Sequence, residues 1–339
     1  MKKERTINVD VVRLIISLMV VAIHTYPLQF ISGDVDFYFT RVICRICVPF
    51  FFMITGFFVI SKAVDDRKVL IDYTKKMLIM YVISMVIYLP ILIYTGYFKD
   101  FSLWLFIKDI LFDGYYFHLW YFPALILGTW ITYFAIKKFD LKRVGVAFLV
   151  LYLIGLLGDS YYGLSTKIPF VKTFFDRIFA ISFYTRNGVF YAPMFLYFGY
   201  SISINKVSDK TKIKKYLLLG VISYILMIGE SYILHTLDIQ RHTSMYLLLL
   251  PTCYFLFKYI MNSKTSSNKF LRESSTWIYI MHPFILTAIR FVANYFGCVV
   301  FYKHSLLYFV STAVLSFSFA ASLVLVKHKV LKKHETLNV

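Results

Sequence analysis

Apolar residues gather along this chain into ten long stretches, at about 8–29, 37–61, 74–95, 119–136, 144–158, 186–204, 215–234, 243–262, 274–296 and 304–326, divided by short polar segments. Runs near twenty residues match the length a helix needs to cross the roughly 30 Å hydrocarbon core of a bilayer. The pattern predicts an all-α polytopic membrane protein of ten transmembrane helices. Two further segments, Phe101–Asp113 and Phe170–Ile181, are short, aromatic and sparsely charged. They read as interfacial helices, or as segments folded over the bundle to make an external vestibule.

The polar residues inside these stretches carry the next argument. The first stretch contains VDVVRLIISLMVVAIH, with Asp10, Arg13 and His24 in an otherwise greasy run. An Asp or Arg at a helix centre costs about 2.5–3.5 kcal/mol on the insertion scale. At 100° per residue His24 falls about 40° from Asp10 and about 20° from Arg13, so the three share one face over roughly 16–21 Å of helix. A bland account is available: an i,i+3 pair with a snorkelling Arg13, and His24 as an interface residue. Other ionisable residues then weigh in. Arg45 lies in the second stretch, His118 opens the fourth beside Trp120, Arg186 opens the sixth, Glu230 closes the seventh and His282 sits inside the ninth. Intramembrane ionisable groups usually face a bundle interior or an aqueous cavity. Together they suggest a polar pocket in the outer half of the bundle. His118 also suits an aromatic belt, Glu230 is ambiguous, and Arg241 and His242 read as solvated loop residues. No HxxxH or HExxH spacing accompanies the histidines, so no metal site is expected.

Composition agrees with a membrane chain: 59% hydrophobic, 20% aromatic and 16% charged, against roughly a quarter charged in soluble domains. The net charge of +19 comes from short Lys/Arg clusters between apolar runs, the placement of topology-setting charges and not of a nucleic-acid groove. Segments 1–7, 62–76, 137–143, 205–215, 262–272 and 327–339 hold 24 of the 37 Lys and Arg residues, which by the positive-inside rule makes both termini cytosolic. The first stretch is long, charge-interrupted and followed by Tyr26-Pro27, so it reads as a retained span and not a cleaved signal peptide. Cys44 and Cys47 have CxxC spacing but no second ligand pair, and read as small buried helix residues.

The ordered set Asp10-x2-Arg13-x10-His24, Arg45-x3-Pro49-Phe50-Phe51-Phe52-x3-Gly56, His118-x-Trp120 and Tyr279-x2-Met281-His282-Pro283 resembles the acyltransferase-three family of ten-helix membrane enzymes. The resemblance implies a bacterial cytoplasmic-membrane enzyme. It takes acyl-CoA, such as acetyl-CoA, from the cytosol and acylates an acceptor at the opposite face, with no tightly bound cofactor. It also implies that His24 is the general base or a transient acyl carrier. Arg13 would receive CoA phosphates with Asp10 orienting it, and Arg45 would stabilise the thioester oxygen. Arg45, His118, Trp120, Arg186, Glu230 and His282 form the implied substrate-binding set.

A closer likeness runs through Asp34 to Gly56, Phe112-Asp113-Gly114, Gly158-Asp159-Ser160-Tyr161-Tyr162-Gly163-Leu164, Thr185-Arg186-Asn187-Gly188 and Leu237-Asp238-Ile239-Gln240-Arg241-His242. These segments look like the membrane domain of VanT-type serine/alanine racemases of vancomycin-resistant bacteria, which carry a cytosolic PLP-dependent racemase making D-serine for peptidoglycan precursors. The chain up to Val339 contains no αβ barrel and no PLP-lysine segment. The expectation is therefore a membrane domain over 1–326 and a basic tail over 327–339, with racemisation requiring a further domain. In that setting L-serine uptake is the rival to acyl transfer, with Arg45, Arg186 and Glu230 as counter-charges. A membrane anchor is the third reading.

Overall fold

The structure is a computed structural model describing residues 7–337, with side chains to Val330. Lys2, Lys3 and Arg5, and the side chains of Lys332 and Lys333, which enter the charge argument, lie outside the described residues. The described chain is mostly helical: α1 (Val9–Thr25), α2 (Gly33–Ala63), α3 (Arg67–Tyr94), α4 (Leu103–Lys108), α5 (Tyr121–Lys138), α6 (Leu141–Leu157), α7 (Pro169–Ile181), α8 (Ala192–Ile204), α9 (Lys210–Thr236), α10 (Leu249–Asn262), α11 (Lys269–Tyr295) and α12 (Ser305–Leu337). The polar connectors supply the helix starts. Asn8, Asp66, Asp140, Asp209 and Asn268 each turn a side-chain oxygen onto the first free backbone N–H groups of α1, α3, α6, α9 and α11.

A helix occupies each of the ten apolar stretches, and among the described residues five are long and apolar enough to cross a bilayer: Gly33–Ala63, Arg67–Tyr94, Lys210–Thr236, Lys269–Tyr295 and Ser305–Val330. The exposed faces are inverted relative to a water-soluble protein. α3 turns Ile79, Val82, Val86 and Ile93 outward, and α9 turns out Leu218, Ile225 and Ile233. Contiguous apolar surface of that extent belongs against lipid. This is an all-α membrane protein.

Two stretches differ from their sequence reading. The sixth, expected from Arg186, becomes helical only at Ala192, and the eighth, expected from Thr243, only at Leu249. Both lead-ins are irregular backbone, because side-chain acceptors capture N–H groups that a helix would have used. At 13 and 14 residues, α8 and α10 extend only about 20 Å by themselves.

The chain divides into two compact units, residues 1–47 with 263–339, and residues 48–262. In the first unit, a two-residue parallel ladder pairs Ile7 with Thr265 and Asn8 with Ser266, so α1 and α11 start side by side. α12 returns antiparallel, fixed by Lys327 to Glu273 at 2.8 Å and by the Tyr308 hydroxyl donating to the Leu286 carbonyl at 2.9 Å. Val21, Ile278 and Ala320 form the dry seam of these three helices. In the second unit, α8 crosses the later part of α2 at backbone distance. A Cβ on Gly56 would lie 2.0 Å from the Leu196 carbonyl oxygen, and one on Gly199 would lie 2.0 Å from that of Met53. Only glycine permits that approach, which is how helices gain packing where lipid removes the hydrophobic drive between them.

Candidate functional site

In the first unit the polar groups of α1 form a column against α11. At its lower end Asp10 is 2% exposed and accepts from the Asn268 N–H at 2.7 Å, while Arg13 lies 3.5 Å and Arg272 3.9 Å from its carboxylate. The expected Asp10–Arg13 pair is present. Asp10 also ties the starts of α1 and α11 together, a role invisible in the first stretch by itself. Midway, the Ser17 hydroxyl lies 2.9 Å from the Arg13 carbonyl and 3.2 Å from that of Ser275.

At the upper end the His24 and His282 rings stand 5.4 Å apart between centroids, tilted by 32°. His282 is fully buried, and the sequence fixes its tautomer. Pro283 has no N–H, so the Tyr279 carbonyl loses its donor four residues on. His282 Nδ1 lies 2.9 Å from that carbonyl and 3.0 Å from that of Ile278. Carbonyls only accept, so Nδ1 carries a proton, and in the neutral ring Nε2 carries the lone pair. The His-Pro dipeptide is thus a local device for orienting one imidazole beside another.

Arg45 belongs to the same unit and sits in a tight 3-10 turn, Ile43–Ile46, packed on α1. Pro49 follows four residues later and cannot donate to the Arg45 carbonyl, which explains the altered winding. Arg45 is buried, with Nε donating to the Arg41 carbonyl at 3.2 Å. Arg41 in turn donates to the Tyr26 hydroxyl and lies over its ring. Cys44 and Cys47 are buried and in no disulfide, consistent with their reading as small helix residues.

The remaining predicted residues belong to the second unit. His118 is buried among the rings of Tyr88, Tyr116 and Phe117, at 4.9, 5.8 and 5.5 Å between centroids. Arg186 lies 5.0 Å over Trp120 and 4.0 Å over Tyr184, and donates from Nη1 to Ser244 Oγ at 3.0 Å. Its neighbours in Thr185-Arg186-Asn187-Gly188 hold it there. Thr185 Oγ1 donates to the Gly155 carbonyl at 2.7 Å, and Asn187 Oδ1 accepts from the N–H groups of Val189 and Phe190 at 2.9 and 3.1 Å. Gly114 places Trp120 beside them; its φ is +86°, and a Cβ there would meet the Trp120 nitrogen at 2.2 Å.

Glu230 has a structural occupation. Its carboxylate accepts from the Tyr161 hydroxyl at 2.8 Å and from the Leu247 and Leu248 N–H groups at 2.6 and 2.8 Å. Asp159, fully buried and given no role by the sequence, does the same one turn earlier. Its Oδ1 accepts from the Ser244 and Met245 N–H groups at 2.7 and 3.0 Å. Unwound backbone at membrane depth must find partners inside the protein. Two carboxylates at the ends of apolar runs are therefore the anchors of the irregular lead-in to α10.

These features define a class: an all-helical membrane protein with an oriented histidine pair above an Asp–Arg cluster in one unit and an aromatic-clad arginine in the other. The comparisons specify it further. The family model described as "Acyltransferase domain" matches residues 6–325, and the chain belongs to that family, acyltransferase-3. It is 40% identical over 277 residues to an amino-acid racemase of Enterococcus faecalis, covering 81% of this chain and 38% of that one. To a serine/alanine racemase of Enterococcus gallinarum it is 32% identical over 341 residues, covering 98% of this chain and 48% of the relative. The chain therefore spans less than half the length of these curated relatives. No solved structure matches it.

Proposed function

We propose that this chain is the membrane-embedded acyltransferase domain of a serine/alanine-racemase-type protein, and that it passes an acyl group from cytosolic acyl-CoA, such as acetyl-CoA, to an acceptor at the outer face. The observation that carries the reading is the His24–His282 pair, with one tautomer fixed by Pro283, on the same face of α1 as Asp10 and Arg13. His282 spends its Nδ1 proton on carbonyls and presents an acceptor nitrogen. A proton on the facing nitrogen of His24 then leaves the other nitrogen of His24 as the base. His24 takes the proton of the acceptor as its heteroatom attacks the thioester carbonyl; the C–S bond breaks and the CoA thiolate leaves with that proton. Arg13, steadied by Asp10, and the basic loops receive the CoA phosphates, and Arg45 stabilises the developing oxyanion. Within the second unit, His118, Trp120 and Arg186 are the substrate-binding residues of this reading, whereas Glu230 braces the lead-in to α10.

By this reading the ten helices span the bacterial cytoplasmic membrane with both termini cytosolic. PLP and racemisation belong to the part of the relatives that this chain does not span. The relatives' names go no further than amino-acid and serine/alanine racemase; a role in D-serine or D-alanine supply for peptidoglycan, and hence in vancomycin resistance, is part of this proposal and rests on the resemblance to VanT-type proteins. The same names favour L-serine uptake as the second reading. The chain in nanodiscs, with His24→Ala beside it, is tested for acetyl-CoA binding and turnover, and in liposomes for labelled L-serine flux. Acetyl-CoA turnover that falls about 100-fold or more in His24→Ala supports acyl transfer. Serine flux indifferent to His24→Ala, with no affinity for acetyl-CoA, overturns it.

A further inference from the structure

Arg241 and His242 look like solvated loop residues in the sequence, and the structure gives them a different setting. Within the second unit, segments 182–187 and 237–245 interleave basic groups with aromatic rings. Arg186 lies 4.0 Å over Tyr184, whose ring is 4.5 Å from that of His242. The His242 ring is 5.5 Å from Phe183, and Arg241 lies 5.1 Å from Phe183 and 3.3 Å from the centroid of Phe179. The loop presenting Arg241 is pinned by its backbone. The Arg241 N–H donates to the Asp159 carbonyl at 3.1 Å, and the Gly163 N–H donates to that of Ile239 at 2.7 Å.

Two donors in this row are buried and have no hydrogen-bond partner among the described residues: Nη1 of Arg241 and Nε2 of the adjacent Gln240. Leaving such donors buried and unmade is costly, more so for a charged one, so the arrangement suits a group that completes them. The carboxylates nearby do not. Asp159 turns Oδ1 onto the Ser244 and Met245 N–H groups, and Asp176 pairs with Lys172 at 2.8 Å. Arg186 donates Nη1 to Ser244, so Nη1 of Arg241 and Nε2 of Gln240 are the donors placed to receive a ligand. That donor set fits a planar monoanion; Asp159 and Asp176 within the field of Arg241 disfavour a dianion.

We propose that Gln240 and Arg241, walled by Phe179 and Phe183, form a binding site for a carboxylate group, carried either by a sugar acid or by a zwitterionic amino acid. The site goes beyond acyl transfer and does not depend on it, since binding is read without any acyl donor.

The test is saturable binding to the full chain in nanodiscs, followed by calorimetry, with D-glucuronate, L-serine, D-glucose and inorganic phosphate as probes. Glucuronate or serine is expected to bind, and whichever does identifies the source, while glucose and phosphate do not compete. Arg241→Gln is expected to weaken binding roughly 10- to 100-fold, the worth of a charged hydrogen bond. Arg241→Lys keeps the charge but loses the planar fork, and is expected to give a smaller loss; it also serves if Arg241→Gln fails to fold. Binding of phosphate as tight as that of either carboxylate, no binding of either carboxylate, or unchanged affinity in both variants overturns the proposal.

Discussion

Pro283→Ala separates two consequences of the His-Pro pair that ordinarily travel together. In the native helix, Pro283 frees the Tyr279 carbonyl and His282 Nδ1 takes it at 2.9 Å. An alanine amide at that position would reclaim the carbonyl. A proline inside a helix costs about 3 kcal/mol relative to alanine. The His282 bond already returns about 1 kcal/mol of that. The variant should therefore be more stable by about 2 kcal/mol, a rise of several degrees in melting temperature. Catalysis should move the other way. Losing one neutral hydrogen bond that holds the tautomer is worth about 0.5–1.5 kcal/mol, or roughly a two- to tenfold fall in acetyl-CoA turnover. Melting by intrinsic fluorescence in nanodiscs, turnover in the same preparation and histidine nitrogen chemical shifts read the three quantities separately. A stabilised variant with altered His282 shifts but undiminished turnover would refute the assignment of the tautomer to the chemistry. A variant no more stable than the parent, with unchanged shifts, would refute the structural argument itself.

Other expectations follow from the same contacts. Asp159→Ala orphans the Ser244 and Met245 amides and should cost about 2–6 kcal/mol in thermal melting, whereas Asp159→Asn, which keeps an acceptor, should cost less; equal melting of Asp159→Ala and the parent removes the anchoring role. Gly199→Ala drives a methyl group into the Met53 carbonyl and should lower stability by about 3 kcal/mol or prevent monodisperse purification. A parent-like elution profile and melting temperature would show that the α2–α8 crossing is looser than described. Asp10→Ala should destabilise by about 1–3 kcal/mol through the Asn268 amide, while Arg272→Ala, at the exposed side of the same cluster, should change melting by under about 1 kcal/mol. The opposite order would relocate the energy of the cluster to the ion pair.

What the sequence disclosed and what it withheld divide along a physical line. Hydropathy located every apolar stretch, because lipid exposure is a property of composition. Helical periodicity put Asp10, Arg13 and His24 on one face, because those relations are local. Partners far along the chain were not legible: Asn268 and Arg272 for Asp10, Ser275 for Ser17, His282 for His24. Hydropathy also extended the sixth and eighth stretches through Arg186 and Thr243, since it registers side-chain polarity and not where backbone amides find acceptors. The pocket expected to gather Arg45, His118, Arg186, Glu230 and His282 was an inference from one shared side. The structure assigns Arg45 and His282 to one unit and the other three to the second. A usable signal for the missed anchors did exist: Asp159 follows a long apolar run, and a carboxylate there must be bought by donors.

The acidic and basic residues embedded in this protein do different work. Asp10 accepts from Asn268, Asp113 from Phe183, Asp159 from Ser244 and Met245, and Glu230 from Leu247 and Leu248; in each case a carboxylate spends its charge on backbone amides. An acceptor-only group is the natural partner for irregular backbone at membrane depth, which always has N–H groups to place. Several basic residues are treated otherwise. Arg186 and Arg241 are clad in aromatic rings, and the His282 ring lies 5.4 Å from that of His24. Cladding in rings keeps a guanidinium buried without cancelling its charge, because a π face is a weaker partner than a carboxylate. The fold thus consumes negative charge as scaffold and conserves positive charge at its aromatic-walled sites. That asymmetry is what both proposals require, one for the phosphates of an acyl-CoA and the other for a carboxylate ligand.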